Sequence, residues 1–420
     1  MPFSGVSMKR AYKYRFYPTP DQVELLSKTF GSVRFVYNSI LNWRTIAYNT
    51  LNQSIDYKKA SARLTEMKKQ PELAWLGEVS CVPLQQTLRH QQSAFKNFFE
   101  GRANYPTFKS KRGKQSAEFT ASAFKYRDGF LFIAKSKTPL KIRWSKTLPS
   151  TPSTITIKKD LNNRYFVSCL CDFEPKPLPI NANVVGIDLG LKDLIVSDIG
   201  SRYGNPRHTL KYAKRLAALQ RRLSKKQKGS KNREKARVKV AKMHSKIADC
   251  RKDNLHKLSR RLVNENQVIC VESLRVKNML RNPKLAKSIS DAGWGELLKQ
   301  LRYKSDWAGR EIVSIDQFFP STKLCSHCGY LVEKMSLDVR TWLCPCCETS
   351  HDRDVNAAKN IKAAGLAVLA YGELVKPGRQ SAAQVRLGEV GRLCASVNQN
   401  PPGLKPTDIQ HCHDVIFDVN

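Results

Sequence analysis

Residues 321–361 read STKLCSHCGYLVEKMSLDVRTWLCPCCETSHDRDVNAAKNI, and the rest of the chain is organised around them. Cys325, Cys328, Cys344 and Cys347 form two C-x2-C pairs fifteen residues apart. Two tight turns with that spacing can offer four thiolates to one tetrahedral Zn²⁺, whereas independent core cysteines have no reason to fall into paired register. Cys346 is a fifth thiol that could replace Cys347, and His327 and His351 are near enough to be alternate ligands, but four thiolates already close the shell. Asp352 and Asp354 follow directly, ahead of an Ala-rich run from Val355 to Ala370 that reads as helix. A lone Asp at a helix start has an innocent role, capping free N–H groups at the positive end of the helix dipole.

Two other carboxylates shift that balance, because each ends an apolar, strand-like run. Asp188 closes Val184-Val185-Gly186-Ile187, and Glu272 closes Val268-Ile269-Cys270-Val271. A partner strand is expected over Leu194–Asp198, a helix over Ser290–Trp307 and another strand over Glu311–Asp316. Together these describe an α/β domain whose acids lie at strand ends or at a helix start, where they can converge on one edge of the sheet. Carboxylate oxygens are hard ligands suited to Mg²⁺ or Mn²⁺, and a pair of such ions supports in-line phosphodiester hydrolysis without a histidine or a nucleophilic side chain. No G-x-S-x-G, Walker A or H-E-x-x-H stretch is present, so serine hydrolase, nucleotide-driven motor and zinc protease lose support.

Charge points to the partner. The 420 residues carry 73 Lys and Arg against 35 Asp and Glu, a net +38, which calls for a polyanion. The competing anionic surface is a membrane. No run of about 18 apolar residues exists, and residues 1–19 lack the apolar core of a signal peptide, so a cytoplasmic protein without a membrane partner is expected. Twelve cysteines then read as metal ligands and buried thiols, not disulfides. Between Arg207 and Arg261 stand 21 basic residues and three acids, Glu234, Asp249 and Asp253. Leu216, Leu219 and Leu223, then Leu255, Leu258 and Leu262, keep helical spacing around a Lys228-Gly229-Ser230 turn, which predicts a basic helical hairpin. Charge runs are often only solvated faces, but density this high with so few acids favours phosphate contact, with Lys225, Lys226 and Lys228 as candidates.

Upstream, Tyr12, Tyr14 and Phe16 alternate with Lys13 and Arg15 as in a half-buried strand. Thr19-Pro20-Asp21-Gln22 starts a helix that Gly31 could bend, and further helices are expected over Tyr57–Lys69 and Val82–Phe99. Tyr105–Thr120 mixes aromatic and basic residues, which suits either base stacking or a solvated loop. Strands over Gly129–Ala134, Leu140–Trp144, Thr154–Lys158 and Arg164–Asp172, with an Asn162-Asn163 turn, predict a small barrel closed by the N-terminal strand. Pro175-Lys176-Pro177-Leu178-Pro179 reads as a stiff linker.

Gly-Ile-Asp188-Leu-Gly-Leu-Lys, Val-Glu272-Ser-Leu, the four-cysteine knuckle and Asp352-Arg-Asp354-Val-Asn356-Ala-Ala resemble the nuclease half of the TnpB family. Its members are OrfB-type, transposon-encoded, RNA-guided DNA endonucleases related to type V CRISPR effectors. Tyr12–Asn38 and the stretch from Pro106 to Lys111 resemble the family's N-terminal half, so the match spans roughly residues 9–368. The resemblance implies Asp188, Glu272 and Asp354 as a catalytic, Mg²⁺-binding triad, Asp354 being taken over Asp352 because the family's acid stands two before the Asn of Asn-Ala-Ala. It also implies a guide RNA from the transposon's own end and a double-stranded DNA target.

The implied fold class is mixed α/β and α+β: an RNase H-like (RuvC) nuclease domain with an inserted zinc ribbon, joined to a wedge-like barrel carrying a helical recognition lobe. The barrel would take residues 1–17 and 101–180, and the lobe residues 18–100. The nuclease domain would take 181–320 with the basic hairpin at 207–262, the ribbon 321–350, and the third acid with its helix 351–370. Residues 371–420 read as a disordered tail. A nuclease-inactive RNA-guided repressor would be free to lose its acids, and all three are present. A strand-transferring transposase could carry the same acids and differs only in the reaction. A purely structural RNA-binding protein would leave the strand-end acids unexplained.

Overall fold

Alternation near the N-terminus gives strand β1 (Met8–Phe16), which buries Tyr14 and Phe16 and exposes Lys13 and Arg15. The computed structural model describes residues 7–336 and 338–371, so the tail expected over 371–420 lies outside the described residues, apart from the backbone of Tyr371. The described chain divides into two units. One takes residues 7–174 with Leu219–Met243; the other takes Pro175–Ala218 with residues from His244 onward.

In the first unit Thr19, three residues after β1, caps the start of helix α1 (Pro20–Leu51). The Thr19 hydroxyl accepts from the Gln22 N–H at 3.3 Å and Gln22 Oε1 accepts from the Thr19 N–H at 3.2 Å, a reciprocal cap that stabilises the helix by about 1 kcal/mol. The helix runs unbroken through Gly31. Helices α2 (Tyr57–Lys69) and α3 (Cys81–Phe99) follow, then strands β2 (Gln115–Thr120), β3 (Phe124–Arg127), β4 (Phe130–Ile133), β5 (Thr154–Lys159) and β6 (Tyr165–Phe173). Asn163 takes the left-handed conformation in the β5–β6 turn, with φ 65°. Phe119, Ile155, Ile157 and Val167 from the sheet share one core with Leu26, Val36, Leu84 and Leu88 from the helices.

Two expectations fail here. The strands pair in the order β1-β6-β5-β2 with β3-β4 as a separate hairpin, so the hydrogen-bonded ladder is an open sheet and not a closed barrel. Closure would have needed a strand over Leu140–Trp144. That segment meets β1 only at the Phe16–Ile142 bridge, where the Tyr17 N–H donates to the Lys141 carbonyl at 3.0 Å and the Arg143 N–H to the Arg15 carbonyl at 2.9 Å.

The second unit opens with an antiparallel meander, β7 (Val184–Asp188), β8 (Asp193–Ser197) and β9 (Arg202–Gly204). Helices α4 (His208–Lys211), α5 (Ala213–Ser224) and α6 (Lys231–Glu265) follow; the end of α5, the turn with Gly229 at φ 88° and the start of α6, residues 219–243, are the segment counted with the first unit. Then come β10 (Val268–Glu272), α7 (Val276–Met279), α8 (Ala286–Ala292), α9 (Trp294–Ala308), β11 (Glu311–Ile315), β12 (Thr341–Leu343), β13 (Ser350–Asp352) and α10 (Arg353–Tyr371). The helix expected over Ser290–Trp307 is two, since Gly293 takes a left-handed φ of 72° that ends α8 and precedes α9.

The main sheet has the order β11-β10-β7-β8-β9, with β10 parallel to both β7 and β11. Strand period two sorts its faces. Val185, Ile187, Ile269 and Val271 pack with Leu255, Leu258 and Leu262 of α6 and Leu297 and Leu301 of α9. The intervening residues face α10, and there the sequence supplies little bulk. A Cβ on Gly186 would stand 2.1 Å from the Ala358 carbonyl oxygen, and one on Gly365 would stand 2.4 Å from Cys270 Sγ. Glycine at both points lets α10 lie directly on the strands. Asp198 ties the same layers: its carboxylate accepts from the Gly186 N–H at 3.0 Å and pairs with Lys362 of α10 at 2.9 Å.

Candidate active site and metal centre

Asp188 stands two residues after Gly186, and Glu272 two after Cys270, so both carboxylates lie on the α10 face at the C-terminal ends of adjacent parallel strands. Asp354 occupies the first turn of α10. Burial and the nearby Asp354 carboxylate push the Asp188 pKa up to about 6, although an N–H from Leu189 opposes the shift. Burial and the Asp188 carboxylate push Glu272 up to about 7. Burial and a neighbouring carboxylate thus disfavour the charged forms of Asp188 and Glu272, a penalty that a hard divalent ion would relieve.

Asp352 and Asp354 take different work. The Asp352 carboxylate caps α10, accepting from the Asp354 and Val355 N–H groups at 3.1 and 3.0 Å, and pairs with Arg202 at 2.7 Å. The Asp354 carboxylate makes longer contacts, 3.7 Å to Arg202 and 3.8 Å to Arg340, and is the one that bears on Asp188. Arg202 also holds Asp193 at 3.1 Å. Among the described residues, the three acids are not gathered tightly enough for all their ligand atoms to lie within 4.8 Å of one another; the four cysteines are.

Those cysteines are Cys325, Cys328, Cys344 and Cys347. Sγ separations of 3.7 Å (Cys325–Cys347) and 3.6 Å (Cys328–Cys344) match the edge of a tetrahedron with Zn–S bonds of about 2.3 Å, so the cluster could hold zinc. Cys346 is exposed and outside the cluster, and His327 is exposed. His351 is buried with Nε2 3.0 Å from Cys325 Sγ, its ring tilted by 36° against Trp342 at a centroid distance of 4.7 Å. It therefore contacts a ligand sulfur without being one of the four.

The first knuckle is bolted to α10. Asn356 donates to the Leu324 carbonyl at 2.7 Å and accepts from the Ser326 N–H at 2.9 Å. One turn on, Asn360 donates to Leu324 at 2.6 Å and Ser321 at 2.8 Å. Both side chains are buried, so the turn that presents Cys325 and the turn that presents Asp354 share one hydrogen-bonded frame.

Lys225, Lys226 and Lys228 lie exposed in the turn between α5 and α6, and among the described residues none of them makes an ion pair. Arg233 holds that turn, donating to the Leu223 and Lys226 carbonyls at 3.0 and 2.6 Å. Sequence reasoning did not single out Arg202, Arg340, Asn356 or Asn360 as working residues. Arg202 and Arg340 are isolated basic residues among 73, and only the fold brings them to Asp354. The i, i+4 spacing of the two asparagines beside the knuckle was the available signal.

Three family models match the chain. Residues 168–283 match OrfB_IS605, "Probable transposase"; residues 294–361 match the "Cas12f1-like, TNB domain"; and residues 8–53, here β1 and α1, match the OrfB_IS605 "Helix-turn-helix domain". A Streptomyces pristinaespiralis protein named "Putative RNA-guided DNA endonuclease" is 51% identical over 397 residues, covering 94% of this chain and 96% of that protein. InsQ of Escherichia coli K12, named "Putative RNA-guided DNA endonuclease InsQ", is 32% identical over 89% of this chain and 96% of its own length. A solved structure described as "Cryo-EM structure of the Cas12f1-sgRNA-target DNA complex" superposes with a TM-score of 0.52 over 85% of this chain and 99% of that chain. At 14% identity the last is a likeness of fold.

Proposed function

The chain belongs to the TnpB, or OrfB-type, family, and from that premise we propose that it is an RNA-guided, metal-dependent DNA endonuclease in which Asp188, Glu272 and Asp354 form the catalytic site. The observation that carries the reading is the shared face: two strand-end carboxylates on adjacent parallel strands, turned toward the helix whose first turn bears the third acid. Relatives named as RNA-guided DNA endonucleases support the substrate and the guide, and the net charge of +38 supports two polyanionic partners.

The donor set fits Mg²⁺ or Mn²⁺, since all three groups offer hard oxygen. Such ions, when bound, supply water activation and charge neutralisation at the leaving oxygen. The protein's own residues do the rest. Asp188 and Glu272 must both be ionised to act, so the site works only when the proton that burial favours has been lost. Arg202 and Arg340 restrain Asp354, and Asp352 fixes the helix start from which Asp354 projects. The four cysteines act as a structural zinc ribbon that sets the position of α10 through Asn356 and Asn360.

In the same reading Lys225, Lys226 and Lys228 meet nucleic-acid phosphates, the guide comes from the transposon's end, and the target is double-stranded DNA in the prokaryotic cytoplasm. The sheet of residues 7–17 and 101–173 serves as the wedge and α1 to α3 as the recognition lobe. The experiment is cleavage and binding of a guide-matched duplex in Mg²⁺ by wild type and by Asp188→Ala, Glu272→Ala and Asp354→Ala. Each substitution should remove nearly all cleavage and leave binding intact, because ligands of one metal site do not act additively. Full cleavage by Asp354→Ala with loss in Asp352→Ala would move the third role by two residues. Full cleavage by Asp188→Ala, or joining of strands in place of hydrolysis, would overturn the mechanism.

A further inference from the structure

A cavity of about 660 Å³ opens at the same end of the main sheet as Glu272 but on the opposite face. Ser273 continues the β10 ladder, its N–H donating to the Ile315 carbonyl at 3.1 Å, and by strand period two it points away from the face that carries Glu272. It is the first wall of the cavity, which Arg275, Lys277 and Asn278 at α7, Arg302 of α9 and Asp316 after β11 complete. All five are exposed at this rim, and among the described residues Arg275, Lys277 and Arg302 make no ion pair. Three unpaired cations against one carboxylate make this an anion-accepting cavity of nucleotide size.

The chain runs from the lining residues Asp316 and Gln317 directly into Phe318. Asp316 Oδ1 accepts from the Phe318 N–H at 2.8 Å, a local turn that fixes the backbone of Phe318, whose ring is left 80% exposed. An exposed phenylalanine one residue beyond the lining of a cationic cavity is useful against a base, since stacking serves any base while the cations hold its phosphate.

We propose that this cavity is a subsite for one nucleotide of the DNA strand being cut, immediately flanking the scissile bond, with its phosphate held by Arg302 and Arg275 and its base laid against Phe318. The proposal rests on the nuclease reading above and adds the strand's path: from the carboxylates on one face, over the end of β10, into the cavity on the other. Glu272 and Ser273 are successive residues, so the crossing is made at the end of a single strand.

The test steps a single change along the strand in guide-loaded protein. Duplexes carrying one methylphosphonate, or one abasic nucleotide, at successive positions beside the cut are cleaved by wild type, Arg302→Ala, Arg275→Ala and Phe318→Ala. One flanking position should lose cleavage about tenfold in wild type. Arg302→Ala should lose a similar factor, with no further loss when the methylphosphonate occupies that position, and Phe318→Ala should be blind to the abasic site there. Losses that multiply, or a strand with no sensitive flanking position, would overturn the proposal. A second readout needs no cleavage: in EDTA, 4-thiothymidine at the flanking position should photocrosslink to the peptide around Asp316–Phe319 in wild type and not in Phe318→Ala. Crosslinking of that peptide to the RNA and not the DNA would assign the cavity to the guide and reject the proposal. If wild type crosslinks as expected but never cuts, the nuclease reading fails while the subsite stands.

Discussion

Gly186→Ala is the sharpest probe of how this site is assembled. The added Cβ would stand 2.1 Å from the Ala358 carbonyl oxygen and 2.7 Å from the backbone N and Cβ of Lys362. Two of these are helix backbone atoms, so no rotamer change relieves the overlap, and α10 must retreat from β7 by about 1 Å. Ala358 is one turn beyond Asp354, and Gly186 is two residues before Asp188, so the retreat separates the two acids directly. Overpacking of this kind costs about 1–3 kcal/mol of stability, and a displacement of about 1 Å at reacting groups costs about 100-fold in rate. Single-turnover cleavage of a guide-matched duplex should therefore fall about 100-fold, while binding, which uses basic surfaces elsewhere, stays within about twofold. Gly365→Ala is the control. It meets Cys270 Sγ at 2.4 Å but lies eleven residues from Asp354, about 16 Å along the helix, and should lower the melting temperature with a smaller loss of rate. Wild-type cleavage by Gly186→Ala, or equal losses of cleavage and binding, would refute the argument that close packing of α10 sets the distance between the acids.

Cys328→Ser should release the zinc and abolish cleavage indirectly, since a lost thiolate forfeits much of the roughly 10 kcal/mol that such a site contributes to local folding; active protein with no zinc by metal analysis would contradict this. Replacing Lys225, Lys226 and Lys228 together with Ala should weaken binding of all sequences alike and flatten its salt dependence by about one unit per lost phosphate contact. An unchanged slope would return the turn to a solvated role. Because the folded-state pKa values of Asp188 and Glu272, about 6 and about 7, lie above their ordinary 3.8 and 4.5, the folded protein holds protons that the unfolded chain has lost between those limits. Without metal, melting temperature should therefore fall as pH rises from about 4 to about 7, Mg²⁺ should reverse the fall, and cleavage at limiting Mg²⁺ should decline below about pH 7. A melting temperature in EDTA that climbs with pH across that window would reverse the sign of the linkage.

Much of this could be seen in the residues because the signals were local. The cysteine pairs, the Thr19–Gln22 cap and the acids closing Val184–Ile187 and Val268–Val271 each rest on contacts within a few positions of chain. The α2 helix likewise runs from Tyr57 to Lys69, the span its periodicity predicts. What escaped was decided at a distance. The strand β2, Gln-Ser-Ala-Glu-Phe-Thr, buries only Ala117 and Phe119, too weak an alternation to stand out from the basic, aromatic stretch before it. Its pairing with β5 supplies what its own sequence lacks. Leu140–Trp144 has a strand-like composition, yet it pairs with β1 at a single bridge. In the site, the acids were legible as strand ends, but the separate duties of Asp352 and Asp354 depend on Arg202, 150 residues from the former, and no spacing rule reaches that far.

The asparagine frame between the first knuckle and α10 also has a consequence in time. Asp188 and Glu272 are synthesised well before the segment that brings in Asp354, which emerges about 80 residues after Glu272. At about 5–20 residues per second the ribosome needs on the order of 4–16 s to cover that interval. Throughout it the nascent chain already carries α5, α6 and their lysines, and so can engage a polyanion before its third carboxylate exists. The second cysteine pair, and Asn356 and Asn360 that close onto Leu324, are synthesised only after the sheet strands that carry Asp188 and Glu272. Cutting competence is thereby postponed until after gripping competence, an ordering written into the position of one cysteine knuckle along the polypeptide.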